Sequence, residues 1–177
     1  MKILYLHGFG SKVQGSNPKY RALAKLGEVI PHAPTYESGD LDTEVDKVID
    51  LVIKLDIDLV VGTSFGGWMA SQVGPQTGTP FVALNPVIDP EATLNRQNIP
   101  FEGVFEPFGL AGCGLVMVND GDELLDPAKT VEYAQDNYKV YTFSGGNHQF
   151  TNIREVIPLI SDFYEEAQLV YGSEDLD

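Results

Sequence analysis

The chain predicts an α/β fold: a parallel sheet of about six strands covered by helices on both faces. Three observations carry this. Short apolar runs alternate with helix-period segments from end to end. The segment Gly62-Thr63-Ser64-Phe65-Gly66 stands between the apolar run Leu59-Val60-Val61 and the helix-compatible Trp68-Met69-Ala70-Ser71. No internal repeat, low-complexity tract or domain linker interrupts the alternation.

Six runs read as strands: residues 2–6, 28–31, 58–61, 80–84, 114–118 and 139–143. Between the first two, Asn17-Pro18 supplies an N-cap followed by proline at the first helical position, and Gly27 ends that helix. Residues 36–40 read as a polar loop. The following helix carries Val45, Val48, Ile49 and Val52 on one stripe, with Thr43 and Asp46 at capping-box spacing.

After the fourth strand the pattern changes. Residues 85–112 hold Pro86, Pro90, Pro100 and Pro107 among Phe101, Phe105 and Phe108. Asp89-Pro90 caps a short helix through Leu94; the remainder has no clean period. A small lid or pocket wall is the expectation, against an ordinary long connection packed by its own phenylalanines. Asp126-Pro127 begins the next helix, with Val131 and Ala134 inward. The last helix covers about 156–169, with Leu159, Ile160, Phe163 and Ala167 inward and Pro158 in its first turn or bending it. Residues 170–177 form an acidic tail. The whole reads as a single domain over 1–177.

The totals narrow the classes of function. At 177 residues and 43% hydrophobic, the chain can bury a substantial core. Its net charge of −15 disfavours nucleic acid and anionic membranes. A lone cysteine, Cys113, leaves no disulfide framework and no cysteine-based zinc site, and it reads as a small packed hydrophobe. No run is long enough to span a bilayer, and the apolar start breaks at His7-Gly8 without a cleavage site. A cytoplasmic location is expected.

Gly62-Thr63-Ser64-Phe65-Gly66 fits the G-x-S-x-G nucleophile elbow, in which a strained strand-to-helix turn pushes a serine Oγ out above the sheet. A side chain at Gly62 or Gly66 would collide across so tight a turn. The six-residue stretch Gly62–Gly67 lacks the lysine of a phosphate-binding loop, and a dehalogenase would need a carboxylate in place of Ser64. Trp68, just past the elbow, reads as core.

A serine hydroxyl needs a base. Of three histidines, His32 lies upstream of the elbow and His7 sits in a glycine-rich loop after the first strand. His148 follows Gly145-Gly146 between the last strand and the last helix, where the loop can bring the ring to Ser64. The acid should come from the loop after the fifth strand, where Asp120, Asp122, Glu123 and Asp126 compete. Asp126 is explained as an N-cap, Asp120 as turn chemistry before Gly121, and Glu123 can point to solvent. That leaves Asp122, with Leu124 and Leu125 burying the loop's far side; Asp120 is the reserve. The order Ser64, Asp122, His148 is that of α/β-hydrolases. Backbone donors for an oxyanion are expected at Phe65 and at Phe9, where Gly8 and Gly10 permit close approach. His7 then fixes its loop by a hydrogen bond, and Asn85-Pro86 shapes the turn above the fourth strand.

Together Tyr5-Leu6-His7-Gly8-Phe9, Gly62-Thr63-Ser64-Phe65-Gly66-Gly67, Leu84-Asn85-Pro86, Gly121-Asp122-Glu123-Leu124-Leu125-Asp126 and Gly146-Asn147-His148-Gln149-Phe150 resemble the YqiA-type (UPF0227-like) esterases of the α/β-hydrolase superfamily. The resemblance runs from the first strand to the last helix. It implies a minimal α/β-hydrolase sheet lacking the first two strands of the full fold, and a serine esterase on short-chain acyl esters with Ser64, Asp122 and His148 as its triad. The chain departs from that pattern in its acidity and in the stretch 100–112. With strand order 2-1-3-4-5-6, the switch between first and third strands opens a crevice where the His7-Gly8-Phe9 loop and the elbow meet. No cofactor or metal is expected, and the partner is a small acyl ester. A thioesterase or acyltransferase would use the same groups, and a silent hydrolase fold serving as a binding module would lack the reactivity.

Overall fold

The computed structural model describes residues 1–171; most of the expected acidic tail, 172–177, lies outside the described residues. A six-stranded, wholly parallel sheet runs in the order β2-β1-β3-β4-β5-β6. Its strands are β1 Lys2–Leu6, β2 Glu28–His32, β3 Leu59–Thr63, β4 Phe81–Leu84, β5 Gly114–Asn119 and β6 Lys139–Phe143. All six expected strands are present, each within two residues at either end. Two of the differences matter: β3 runs to Thr63, directly against the elbow, and β5 runs to Asn119, whose side chain the site uses.

The helices are α1 Pro18–Leu23, α2 Leu41–Leu55, α3 Phe65–Thr77, α4 Pro90–Arg96, α5 Pro127–Ala134 and α6 Ile153–Tyr171. Three begin with an Asx cap and proline: the side chain of Asn17 accepts from the Lys19 amide, Asp89 from Ala92, and Asp126 from Ala128 and Lys129. Other ends differ from expectation. The cap of α2 is Asp40, accepting from the Thr43 amide, because the helix starts at Leu41, ahead of the Thr43/Asp46 pair. Gly27 does not end α1, which stops at Leu23. It is small because a Cβ there would lie 2.0 Å from the Met1 carbonyl oxygen. Residues 36–38 form a 3-10 turn with Tyr36 fully buried, so this is no polar loop. Pro158 falls in the second turn of α6, since that helix starts at Ile153.

Alternation along the strands splits the core in two. Leu4, Leu6, Val60, Ala83, Val116 and Val118 face the side covered by α2, α3 and α5, with Phe105 and Phe108 packed there too. Ile3, Tyr5, Leu59, Val61, Val82, Leu84, Leu115 and Met117 face α1 and α6. Both faces are apolar because both are covered. Of the helix positions read as inward, Ala134, Ile160, Phe163 and Ala167 are buried, while Val131 and Leu159 are only partly so. Trp68 is core, its Nε1–H donating to the Glu106 carbonyl. Cys113 packs partly buried beside the α1/α6 face. No described helix is long and apolar enough to cross a membrane.

The stretch 98–112 is tied to α3 and α5. Gln72 donates to the Pro107 carbonyl, the Gly109 amide to Ser71 Oγ, and the Tyr133 and Tyr138 hydroxyls to the carbonyls of Phe108 and of Gly109 and Ala111.

Candidate active site

Ser64 stands at the junction of β3 and α3 with φ 60° and ψ −120°, a backbone state that L-residues rarely adopt. Its neighbours hold it there. The Ser64 amide donates to the Leu84 carbonyl, and the Ser64 carbonyl accepts from the amides of Gly67, Trp68 and Val87. The glycines are sterically required. A Cβ on Gly62 would lie 1.9 Å from the Gly66 carbonyl oxygen, and one on Gly66 would lie 2.1 Å from the Leu6 carbonyl oxygen. Gly8 rests against the serine itself, where an added Cβ would be 3.2 Å from Ser64 Cβ.

His148 is buried, and its Nε2 lies 2.9 Å from Ser64 Oγ. Its Nδ1 lies 2.9 and 3.0 Å from the two carboxylate oxygens of Asp122, whose side chain is only 2% exposed. The arrangement fits an Nδ1–H donating to the carboxylate, leaving Nε2 to accept from the serine hydroxyl. Burial raises the Asp122 pKa, but hydrogen bonds from His148 and from the Leu125 and Leu124 amides outweigh it and hold the carboxyl below its ordinary value. It is therefore ionised at neutral pH and able to stabilise a charged imidazole.

The loop carrying His148 turns through Gly145 and Gly146, both at positive φ of 74° and 71°. Asparagines then secure it. Asn85, itself at φ 42°, donates from Nδ2 to the Asn147 and His148 carbonyls while its Oδ1 accepts from the Asn119 amide. The Asn119 Nδ2 donates to the Asn147 carbonyl and to Asn152 Oδ1. The sequence marked Asn85 only as a turn former and gave no part to Asn119. The available signal was an asparagine at the ends of two adjacent strands.

Two readings of the acidic loop change. Glu123 is exposed as expected but is not idle; its Oε2 accepts from the His148 amide at 2.9 Å. Leu124 is 59% exposed rather than packed, and Leu125 alone turns toward the core. Asp122 is held instead by the amides of Leu124 and Leu125, which donate to its Oδ1 at 2.8 and 2.9 Å. Asp120, the reserve, accepts from the Gly145 amide and is not against the imidazole.

Phe9 and Phe65 both line the cavity beside Ser64. Among the described residues, neither amide is taken by an intramolecular acceptor. Their rings pack at 6.0 Å, and Phe65 packs on Tyr36 at 4.9 Å. His7 anchors the loop. Its Nε2 meets the Tyr20 hydroxyl, its amide donates to the His32 carbonyl, and its carbonyl accepts from the Tyr36 hydroxyl at 2.8 Å. Burial, helped by the charge of Lys19 and by His32, pushes the His7 pKa down to about 4. His32 ends β2 and lies outside the cavity wall.

The cavity over Ser64 measures about 590 Å³ and is walled by the 7–19 segment, the elbow, α4 and the His148 loop. Val87, Thr93, Arg96 and Gln97 are the part of 85–112 that lines it.

Residues 2–99 match the model of an uncharacterised protein family, UPF0227. A UPF0227 protein of Vibrio parahaemolyticus is 27% identical, with 91% of this chain and 98% of the relative covered. The UPF0227 protein YcfP of Salmonella arizonae is 28% identical, covering 91% and 97%. Among solved structures, Est1E from Butyrivibrio proteoclasticus superposes with a TM-score of 0.68 at 15% identity, over 94% of this chain and 87% of that one. A thermophilic esterase from Thermogutta terrifontis gives 0.66 at 15%, over 94% and 90%. Likeness at such identity establishes the fold, that of the α/β-hydrolases.

Proposed function

The chain belongs to the uncharacterised protein family UPF0227, and we propose that it is a serine esterase acting on short-chain acyl esters. The observation that carries this reading is the unbroken line from Ser64 Oγ through His148 to the Asp122 carboxylate, each contact at hydrogen-bond distance. Ser64 Oγ attacks the ester carbonyl as its proton passes to His148 Nε2. Asp122 stabilises the resulting imidazolium and keeps the ring oriented. The tetrahedral oxyanion takes hydrogen bonds from the Phe9 and Phe65 amides. Collapse breaks the bond to the alcohol oxygen, which receives the proton from His148 and leaves an acyl-serine. Water then attacks that acyl group, with His148 as base, and frees the acid and Ser64.

The test is turnover of p-nitrophenyl acetate and butyrate together with labelling of Ser64 by a fluorophosphonate. Burst release of p-nitrophenol, labelling, and loss of both in Ser64→Ala are expected. Wild-type turnover in Ser64→Ala would exclude the mechanism. Absence of both turnover and labelling in the wild type would make the fold a binding module.

A further inference from the structure

Acidic residues outnumber basic ones 26 to 11 in this chain. The cavity over Ser64 nevertheless presents Lys12, Lys19 and Arg96, and among the described residues no aspartate or glutamate lines it. The carboxylates adjoining it are turned to other bonds. Glu37 accepts from the Gly10 amide, Glu123 from the His148 amide, and Asp122 lies behind the imidazole. Among the described residues none of the three cations forms an ion pair with a carboxylate. Among the described residues the Arg96 guanidinium donates only to Thr93 Oγ1.

Lys19 is the most informative. It is half-buried, and burial alone lowers its pKa, with no anion nearby to offset the lost hydration. Its charge is felt at His7, at the foot of the loop that carries the Phe9 amide. A partly desolvated, unpaired ammonium is unfavourable for folding, and a neutral ester would gain nothing from it. The excess negative charge of the whole molecule repels anions at long range, so a cationic cleft wall can favour them only locally.

Resting on the esterase reading of this site, we propose that the cavity takes acyl esters bearing an anionic group, which Lys19 binds together with Arg96 and Lys12 while the carbonyl faces Ser64. The two main cations come from different elements, Lys19 from α1 and Arg96 from α4, and both line the same cavity.

Two matched ester pairs test this. The p-nitrophenyl half-ester of glutarate against p-nitrophenyl pentanoate places the charge on the acyl arm; 4-acetoxybenzoate against 4-acetoxybenzamide places it on the alcohol arm. In at least one pair kcat/KM should favour the anion by about tenfold or more at low ionic strength, and the favoured pair identifies the arm. That preference should shrink only partly at ~0.15 M salt, because a contact pair in a half-buried site is weakly screened, fall toward unity in Lys19→Met, and persist in Lys19→Arg. Turnover of both neutral esters with neither anion preferred would overturn the proposal and leave the esterase reading standing. If no ester is turned over and Ser64 is not labelled, the esterase reading fails. Calorimetric titration of 4-acetoxybenzoate into the Ser64→Ala protein, with and without Lys19→Met, then decides. Lys19-dependent binding keeps the anion site, and no binding removes it.

Discussion

At Asp122 and His7, environment sets protonation, and each consequence can be measured. Asp122→Asn keeps an oxygen for the Leu124 and Leu125 amides but cannot stabilise an imidazolium, and it favours the wrong imidazole tautomer. Turnover of p-nitrophenyl butyrate should fall on the order of 10⁴-fold, with little change in Tm. An equal fall in both would make Asp122 a structural residue. For His7 the sign follows from its depressed folded pKa of about 4. The unfolded chain binds the proton first, so the stability from neutral His7 is complete above the ordinary histidine value and is lost as pH falls toward 4. Between pH 7 and 4.5 this amounts to roughly 2 kcal/mol. Urea unfolding at those two pH values should show a smaller difference in His7→Gln than in the wild type.

Among the elements, β4 is followed at once by Asn85, which ties its own loop to the loops after β5 and β6. Asn85 bonds the start of the β5 turn through the Asn119 amide and the His148 loop through the Asn147 and His148 carbonyls. Asn85→Asp retains the acceptor and loses both donations, placing a buried negative charge against two carbonyl oxygens. A loss of about 2–3 kcal/mol in stability and of ~10–100-fold in kcat from a misplaced imidazole is expected, read by denaturant unfolding and steady-state rates. An unchanged kcat at reduced stability would show that the His148 loop holds itself. The elbow was legible in the sequence because its requirement is local: at two positions within one turn a Cβ would meet backbone atoms at about 2 Å, so both are glycine. The asparagine ties were not, because Asn85 and Asn147 are far apart in the chain and each alone has the chemistry of a surface turn. The tie from Glu123 was missed for the same reason, since its partner is an amide in another loop. Glycine and cap signals likewise moved when tertiary contact explained them better, as Gly27 against Met1 shows.

Over the whole molecule, strand order was legible because alternating apolar runs admit few parallel arrangements, and the chain order of serine, acid and base narrows them to one. Charge distribution was not, because a count of −15 says nothing about where the few cations stand. That charge also governs stability. Between carboxylates and lysines or the N-terminus, the described residues hold three ion pairs; two span 4.0 Å, and only Lys47 to Glu44 is close, at 2.6 Å. Each pair keeps at least one partner open to solvent, which screens it, so salt has little attraction to remove. Repulsion among 26 acidic groups is longer in range and larger in number. Raising KCl from about 0.01 to 0.15 M shortens the screening length from roughly 30 to 8 Å, which suppresses repulsion between neighbouring carboxylates before it weakens a 2.6 Å contact. Each kcal/mol recovered shifts Tm by roughly 2–4 °C for a domain of this size, so Tm in calorimetry should rise by several degrees. Chloride is the right anion, because sulfate would also strengthen apolar burial. A Tm that falls with added KCl would mean that close attractive pairs, and not dispersed repulsion, dominate the electrostatics of this fold.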